Sequence, residues 1–199
     1  MLKPVDVLMV GVGGQGTILA SKVLAAAARA AGYDIKVSEI HGMAQRGGSV
    51  VTQVRLGEKV YSPLISQGEA DVILAFEELE ALRWLAYLKP GGTLIINNQQ
   101  IYPVPVLAGA AQYPENIIDQ IKARGINVQV LEATKQAIAC GNAKAANVVL
   151  LGALAQKLPI EEATWRQALA ATVPPRFLEV NNAAFTAGFT AATGSGAGC

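Results

Sequence analysis

Two kinds of apolar pattern alternate along the chain. Short, nearly unbroken apolar runs recur at residues 5–10, 71–76, 93–97 and 126–131. Runs of that length, bounded by turn residues, suit strands buried on both faces of a parallel sheet. Residues 35–40 form a further strand with a less regular pattern. Between the runs lie stretches with helical spacing, at 15–31, 77–88, 115–124, 134–140, 143–157, 159–171 and 176–189. Residues 49–56 alternate, with Val50, Val51, Val54 and Leu56 against Thr52, Gln53 and Arg55. Gly57-Glu58 is a turn signal, so residues 59–65 read as the returning strand of a hairpin. Residues 98–114 are irregular, broken by Pro103, Pro105, Gly109 and Pro114. Residues 1–193 read as one domain without repeat or linker, and the small, glycine-rich residues 194–199 as a flexible tail.

The first apolar run leads into Gly11-Val12-Gly13-Gly14-Gln15-Gly16 and then a helix. Gly11, Gly13 and Gly16 fit the spacing G-x-G-x-x-G, with Gly14 as an extra glycine. Such a turn lets backbone N–H groups approach a ligand, and the following helix aims its positive end at the same place. An anion fits there; the plain alternative is a tight turn that permits close packing. Strand–turn–helix alternation of this kind predicts an α/β, Rossmann-like three-layer sandwich. Its sheet is mostly parallel, with a hairpin insertion and a C-terminal helical segment. The alanine-rich face of the first helix (Ala20, Ala25 to Ala28, Ala30, Ala31) suits close approach to a sheet or helix, and Gly32 ends it.

A second polar, glycine-rich loop, His41-Gly42-Met43-Ala44-Gln45-Arg46-Gly47-Gly48-Ser49, follows the second strand. Ligands of open α/β sheets bind beyond the carboxyl ends of the strands, so this loop and the glycine turn face one cleft. His41 is the one histidine of the chain. Arg46 offers a guanidinium for a phosphate or carboxylate, or pairs with Glu39. His41 and Arg46 are therefore the candidates for a catalytic role. Gly11, Gly13, Gly14, Gln15, Gly16, Gln45, Arg46, Gly47 and Ser49 form the candidate ligand-binding set. Trp84 and Trp165 read as core or interface residues, and Cys140 as a small buried hydrophobe.

Composition narrows the chemistry. Of 199 residues, 52% are hydrophobic and 16% charged, more apolar than an average soluble domain, which fits a surface covered by partner subunits. A net charge of +1 argues against nucleic-acid binding driven by phosphate contacts. No membrane span or signal peptide is apparent, and a cytoplasmic setting is expected. One histidine and two cysteines, Cys140 and Cys199, make neither a zinc site nor a four-thiolate cluster site, so no metal is expected on this chain. A P-loop is excluded, because Thr17 stands where a lysine is required. A nicotinamide dehydrogenase needs an acid at the end of the second strand. Glu39 is near that place, but no proton-transfer constellation accompanies it.

Taken together, Gly11-Val12-Gly13-Gly14-Gln15-Gly16 and Glu39-Ile40-His41-Gly42-Met43-Ala44-Gln45-Arg46-Gly47-Gly48-Ser49-Val50 resemble the gamma-type subunit or domain of the 2-oxoacid:ferredoxin oxidoreductases. Tyr61-Ser62-Pro63, Gly68-Glu69-Ala70-Asp71, Phe76-Glu77-Glu78-Leu79-Glu80-Ala81-Leu82-Arg83, Gly141-Asn142, Asn147 and Leu150-Leu151-Gly152-Ala153 extend the likeness to about Phe189. The resemblance implies a complex that decarboxylates a 2-oxoacid on thiamine diphosphate with Mg2+. It also implies that 4Fe–4S clusters carry electrons to ferredoxin and that coenzyme A takes the acyl group. Thiamine and clusters would lie on a larger partner subunit of the hetero-oligomer, and this chain would bind no cofactor by itself and be inactive alone. The subgroup it most resembles acts on indolepyruvate and other aryl pyruvates. The competing reading is a free-standing Rossmann-like protein that binds a dinucleotide or another phosphate ligand.

Overall fold

A six-stranded sheet in the order β2-β3-β1-β4-β5-β6 organises the computed structural model, which describes residues 2–42 and 48–192. Its strands are β1 (Val5–Val12), β2 (Asp34–His41), β3 (Ser49–Gly57), β4 (Ala70–Ala75), β5 (Leu88–Asn97) and β6 (Asn127–Leu131). β1, β4, β5 and β6 run parallel, whereas β3 lies antiparallel to both β1 and β2. The helices are α1 (Thr17–Ala30), α2 (Glu78–Trp84), α3 (Val104–Leu107), α4 (Ile117–Lys122), α5 (Ala133–Ala139), α6 (Ala146–Ala155), α7 (Glu162–Thr172) and α8 (Leu178–Ala192).

The strand period of two divides the core. Val5, Val7 and Met9 of β1 face one layer, where α1, α5, α6, α7 and α8 pack around Trp165 and Phe185. Leu8 and Val10 face the other, with Ala81 and Leu85 beside α2 and Ile117 and Ile121 of α4. Both faces of β1 are thus dry, which is why its apolar run is unbroken. The expected three-layer α/β sandwich with a C-terminal helical segment is present.

The hairpin has different strands from those expected. β3 pairs with β2 across the His41–Ser49 loop, in a register that sets His41 opposite Val50 and Asp34 opposite Gly57. Residues 59–65 form no strand, because β3 already has a neighbour on each edge. That segment instead runs beside the sheet on side-chain bonds: the Ile65 N–H donates to Gln53 Oε1 (2.6 Å) and Arg55 to the Leu64 carbonyl (2.8 Å). The second helix is shorter than its apolar pattern, ending at Trp84 and passing through a 3-10 turn, Leu85–Tyr87. Leu88, the last residue of the expected 77–88 helix, begins β5, which continues through Lys89-Pro90-Gly91-Gly92 with a register shift against β4. The irregular 98–114 stretch contains one exposed helical turn, α3. Trp165 is in the core, Trp84 is partly buried against Tyr87, and Cys140 is half-buried rather than buried. Residues 193–199, including the expected tail and Cys199, lie outside the described residues.

α6 and α8 approach closely because each has a glycine at the crossing. A Cβ on Gly188 would run into the Val149 carbonyl oxygen, and one on Gly152 into that of Phe185. Alanine normally stabilises a helix interior by about 1 kcal/mol over glycine. Here the sign reverses: Gly188→Ala is expected to lower unfolding stability by about 3 kcal/mol through forced separation of the helices. Urea denaturation of the two proteins measures it, and an unchanged or raised midpoint contradicts the packing.

Candidate functional site

The glycine turn joins β1 to α1 at the carboxyl ends of the parallel strands, and its glycines do different things. Gly14 and Gly16 have φ of +100° and +81°, where a side chain costs about 1–2 kcal/mol. At Gly16 a Cβ would also strike the Asn147 amide, whereas at Gly14 nothing lies within 4 Å. A Cβ on Gly11 would sit 2.8 Å from Gln15 Oε1 and 2.9 Å from Phe76 Cβ. Gly11 and Gly16 therefore serve packing, and Gly14 leaves open space.

Gln15 is bonded into the fold. Its Oε1 accepts the Val12 N–H (2.9 Å) and its Nε2 donates to the Phe76 carbonyl (2.9 Å), closing the seam between β1 and β4. Asn147 Nδ2 donates to the Gly16 carbonyl (3.1 Å) and pins the turn to α6. Gly16 caps α1 without a side chain and the first turn of α1 holds no acid, so its leading N–H groups and positive dipole end are not neutralised from within the helix.

The second loop meets this turn directly. The Gly13 N–H donates to the Gly48 carbonyl (2.9 Å), Val12 stands opposite Ser49, and the Gly42 N–H donates to the Ser49 carbonyl (3.0 Å). Gly13, Gly14, Gly16 and Thr17 line one side of a hollow of about 640 Å³, and His41, Gly42 and Val50 line the other. Of the expected site residues, Gly13, Gly14, Gly16 and His41 converge here. Ser49 turns its hydroxyl away to Glu80 Oε2 (2.5 Å). Gln45, Arg46 and Gly47 lie outside the described residues, as do Met43 and Ala44. His41 is half-exposed, with Nε2 3.9 Å from Glu39 Oε2, and Glu39 accepts from Ser21 of α1 (2.8 Å). A second hollow of about 460 Å³ opens on the other flank of the turn, between Gln15, Gln99, Thr134, Lys144 and Asn147.

Three buried acids at the start of α2 lie outside the expected site residues, although they belong to the Phe76–Arg83 segment that carries part of the resemblance. Glu77 caps α2, accepting the N–H groups of Leu79 (3.0 Å) and Glu80 and the Tyr113 hydroxyl (3.2 Å). Burial pushes its carboxyl above the ordinary range, with the backbone bonds pulling against it. Burial, then the neighbouring Glu77 charge, pushes the Tyr113 hydroxyl up as well. Glu78 accepts from Gln100 (3.1 Å), and Glu80 accepts from Arg83 (2.5 Å) as well as Ser49. Among the described residues, no three His, Cys, Asp or Glu side chains converge as metal ligands.

Residues 6–191 match the model of the pyruvate ferredoxin/flavodoxin oxidoreductase family. The chain belongs to that family. It is 42% identical over 198 residues to the indolepyruvate oxidoreductase subunit IorB of Thermococcus kodakarensis, covering 96% of this chain and 97% of that protein. Identity to the subunit of the same name from Methanothermobacter thermautotrophicus is 38% over 194 residues, covering 96% and 98%. A solved keto/oxoacid ferredoxin oxidoreductase gamma subunit from Geobacter sulfurreducens superposes with a TM-score of 0.72 at 25% identity, covering 96% of this chain and 99% of that one. That gamma subunit thus shares the overall fold of this chain.

The raised Glu77 carboxyl gives a pH signature. Between its ordinary value of 4.5 and its raised folded value, the folded chain holds a proton that the unfolded chain has lost. Stability therefore falls as pH rises through that window, and Glu77→Gln, which keeps the capping acceptor, removes this contribution. Urea midpoints measured from about pH 4.5 to neutrality are expected to decline less for the variant than for wild type. Parallel curves contradict the assignment.

Proposed function

We propose that this chain is the small, gamma-type subunit of an indolepyruvate-class 2-oxoacid:ferredoxin oxidoreductase. It would act in the cytoplasm with a larger partner subunit and form one wall of the cleft where coenzyme A is used. Near full-length similarity to the subunit IorB relatives carries the enzyme class. The convergence of the glycine turn and the hairpin loop on one hollow supports the coenzyme A reading. That hollow offers the uncapped N-terminus of α1, which favours a phosphate. Arg46, five residues after His41 in the loop, is assigned the charge-assisted contact to the same group. His41 lines the hollow and is assigned ligand orientation.

The chain's own residues do not fit the other groups of the reaction. Two cysteines and one histidine cannot hold a 4Fe–4S cluster, so clusters, thiamine diphosphate and Mg2+ belong to the partner in this proposal. When bound there they supply the decarboxylation and the path of electrons to ferredoxin. The free-standing dinucleotide reading is weakened by the sheet order. β3 separates β1 from β2, which moves Glu39 to about 10 Å, two strand spacings, from the strand that carries the turn.

Isothermal titration of the assembled complex with coenzyme A tests the site. Arg46→Ala is expected to weaken affinity about tenfold, the scale of one charge-assisted phosphate contact. Unchanged affinity counts against it. Turnover of the reconstituted complex across indolepyruvate, phenylpyruvate, pyruvate and 2-oxoglutarate tests the substrate class, with the aryl pyruvates expected to have the highest kcat/KM. Equal or greater turnover of pyruvate refutes that assignment.

A further inference from the structure

We propose that Glu80 is a positioning residue that anchors the exit of the His41–Ser49 loop and, through it, the glycine turn. Glu80 is fully buried, yet α2 does not need it as a cap, since Glu77 supplies the capping carboxylate. A buried carboxylate is costly unless its oxygens are bonded. Both are: Oε1 takes the Arg83 guanidinium (2.5 Å), and Oε2 takes the Ser49 hydroxyl (2.5 Å). Ser49 is the first residue of β3 and directly follows Gly48, whose carbonyl receives the Gly13 N–H. One line of contacts thus runs from Arg83 through Glu80 to Ser49 and Gly48, and on to the turn before α1.

The loop entrance is tied to the other helical layer, where Ser21 of α1 donates to Glu39 Oε1 (2.8 Å), two residues before His41. His41 is half-exposed, and its charged neighbour Glu39 is 3.9 Å away. At the exit, the backbone bonds of Gly48 and Ser49 to Gly13 and Gly42 are joined by this side-chain bond to α2, which the charge on Glu80 strengthens. Its consequence for coenzyme A rests on the site proposed above; the anchoring itself does not.

Two readouts separate these claims. Trypsin cleavage of the full chain at Arg46–Gly47 reports loop anchoring, with cleavage at the other Lys and Arg sites as the control for global unfolding. Ser49→Ala and Glu80→Gln are each expected to speed cleavage at Arg46 about tenfold while the control sites are unchanged. Ser49→Thr, which keeps the hydroxyl, is expected to restore the wild-type rate. In the reconstituted complex, Glu80→Gln is expected to raise KM for coenzyme A about threefold while kcat stays within about twofold. An unaltered cleavage rate in Ser49→Ala overturns the anchor, even if Glu80→Gln fails to fold. Faster cleavage with an unmoved KM supports the anchor and places the fault in the coenzyme A reading.

Discussion

The antiparallel ladder between β1 and β3 is the constraint on which the rest depends. Its register sets Val12 against Ser49, so the end of the central strand and the beginning of its hairpin neighbour coincide. The glycine turn leaves from one and the polar loop arrives at the other. A slip of one residue would exchange the two faces of β3 and put Gln53 and Arg55 where Val54 and Leu56 fill the core. Burial of β3 thereby determines where two separate loops meet.

This insertion also changes what the glycine turn can do. In an uninterrupted doubly wound sheet, the second parallel strand lies beside the first and offers its terminal acid to a ribose. Here that place is occupied by Ser49 and Val50, and one N–H of the turn is engaged by Gly48. The turn keeps its shape and its helix dipole while its neighbours differ. Gly11 and Gly16 answer to Phe76 and Asn147, so packing explains Gly11, and packing with a left-handed backbone explains Gly16.

Much of the fold was legible because strands buried on both faces write themselves as short apolar runs, as at Val5–Val12 and Ala70–Ala75. Strand order was not, because nothing local to residues 59–65 says that β3 already has two neighbours. The helix at Glu77 looked longer than it is, since Leu85 and Leu88 continue an apolar spacing that serves the second core layer from a 3-10 turn and a strand instead. At the site, the glycines and the loop could be read from their spacing. Gln15 is among the candidates, but its bonds into the fold, like those of Glu80, could not be read. A glutamine in a turn and an acid in the first turn of a helix are ordinary surface choices, and their partners, Phe76 and Ser49, come from distant parts of the chain.

The clamps on the turn have a thermodynamic consequence. With Gln15 bonded to Val12 and Phe76, and Asn147 to Gly16, the turn's shape is settled when the chain folds and not when a ligand arrives. The entropy of ordering these residues then belongs to folding rather than association. A preformed wall of this kind lets modest contacts yield useful affinity, and lets a ligand leave without the protein having to reorganise on that side.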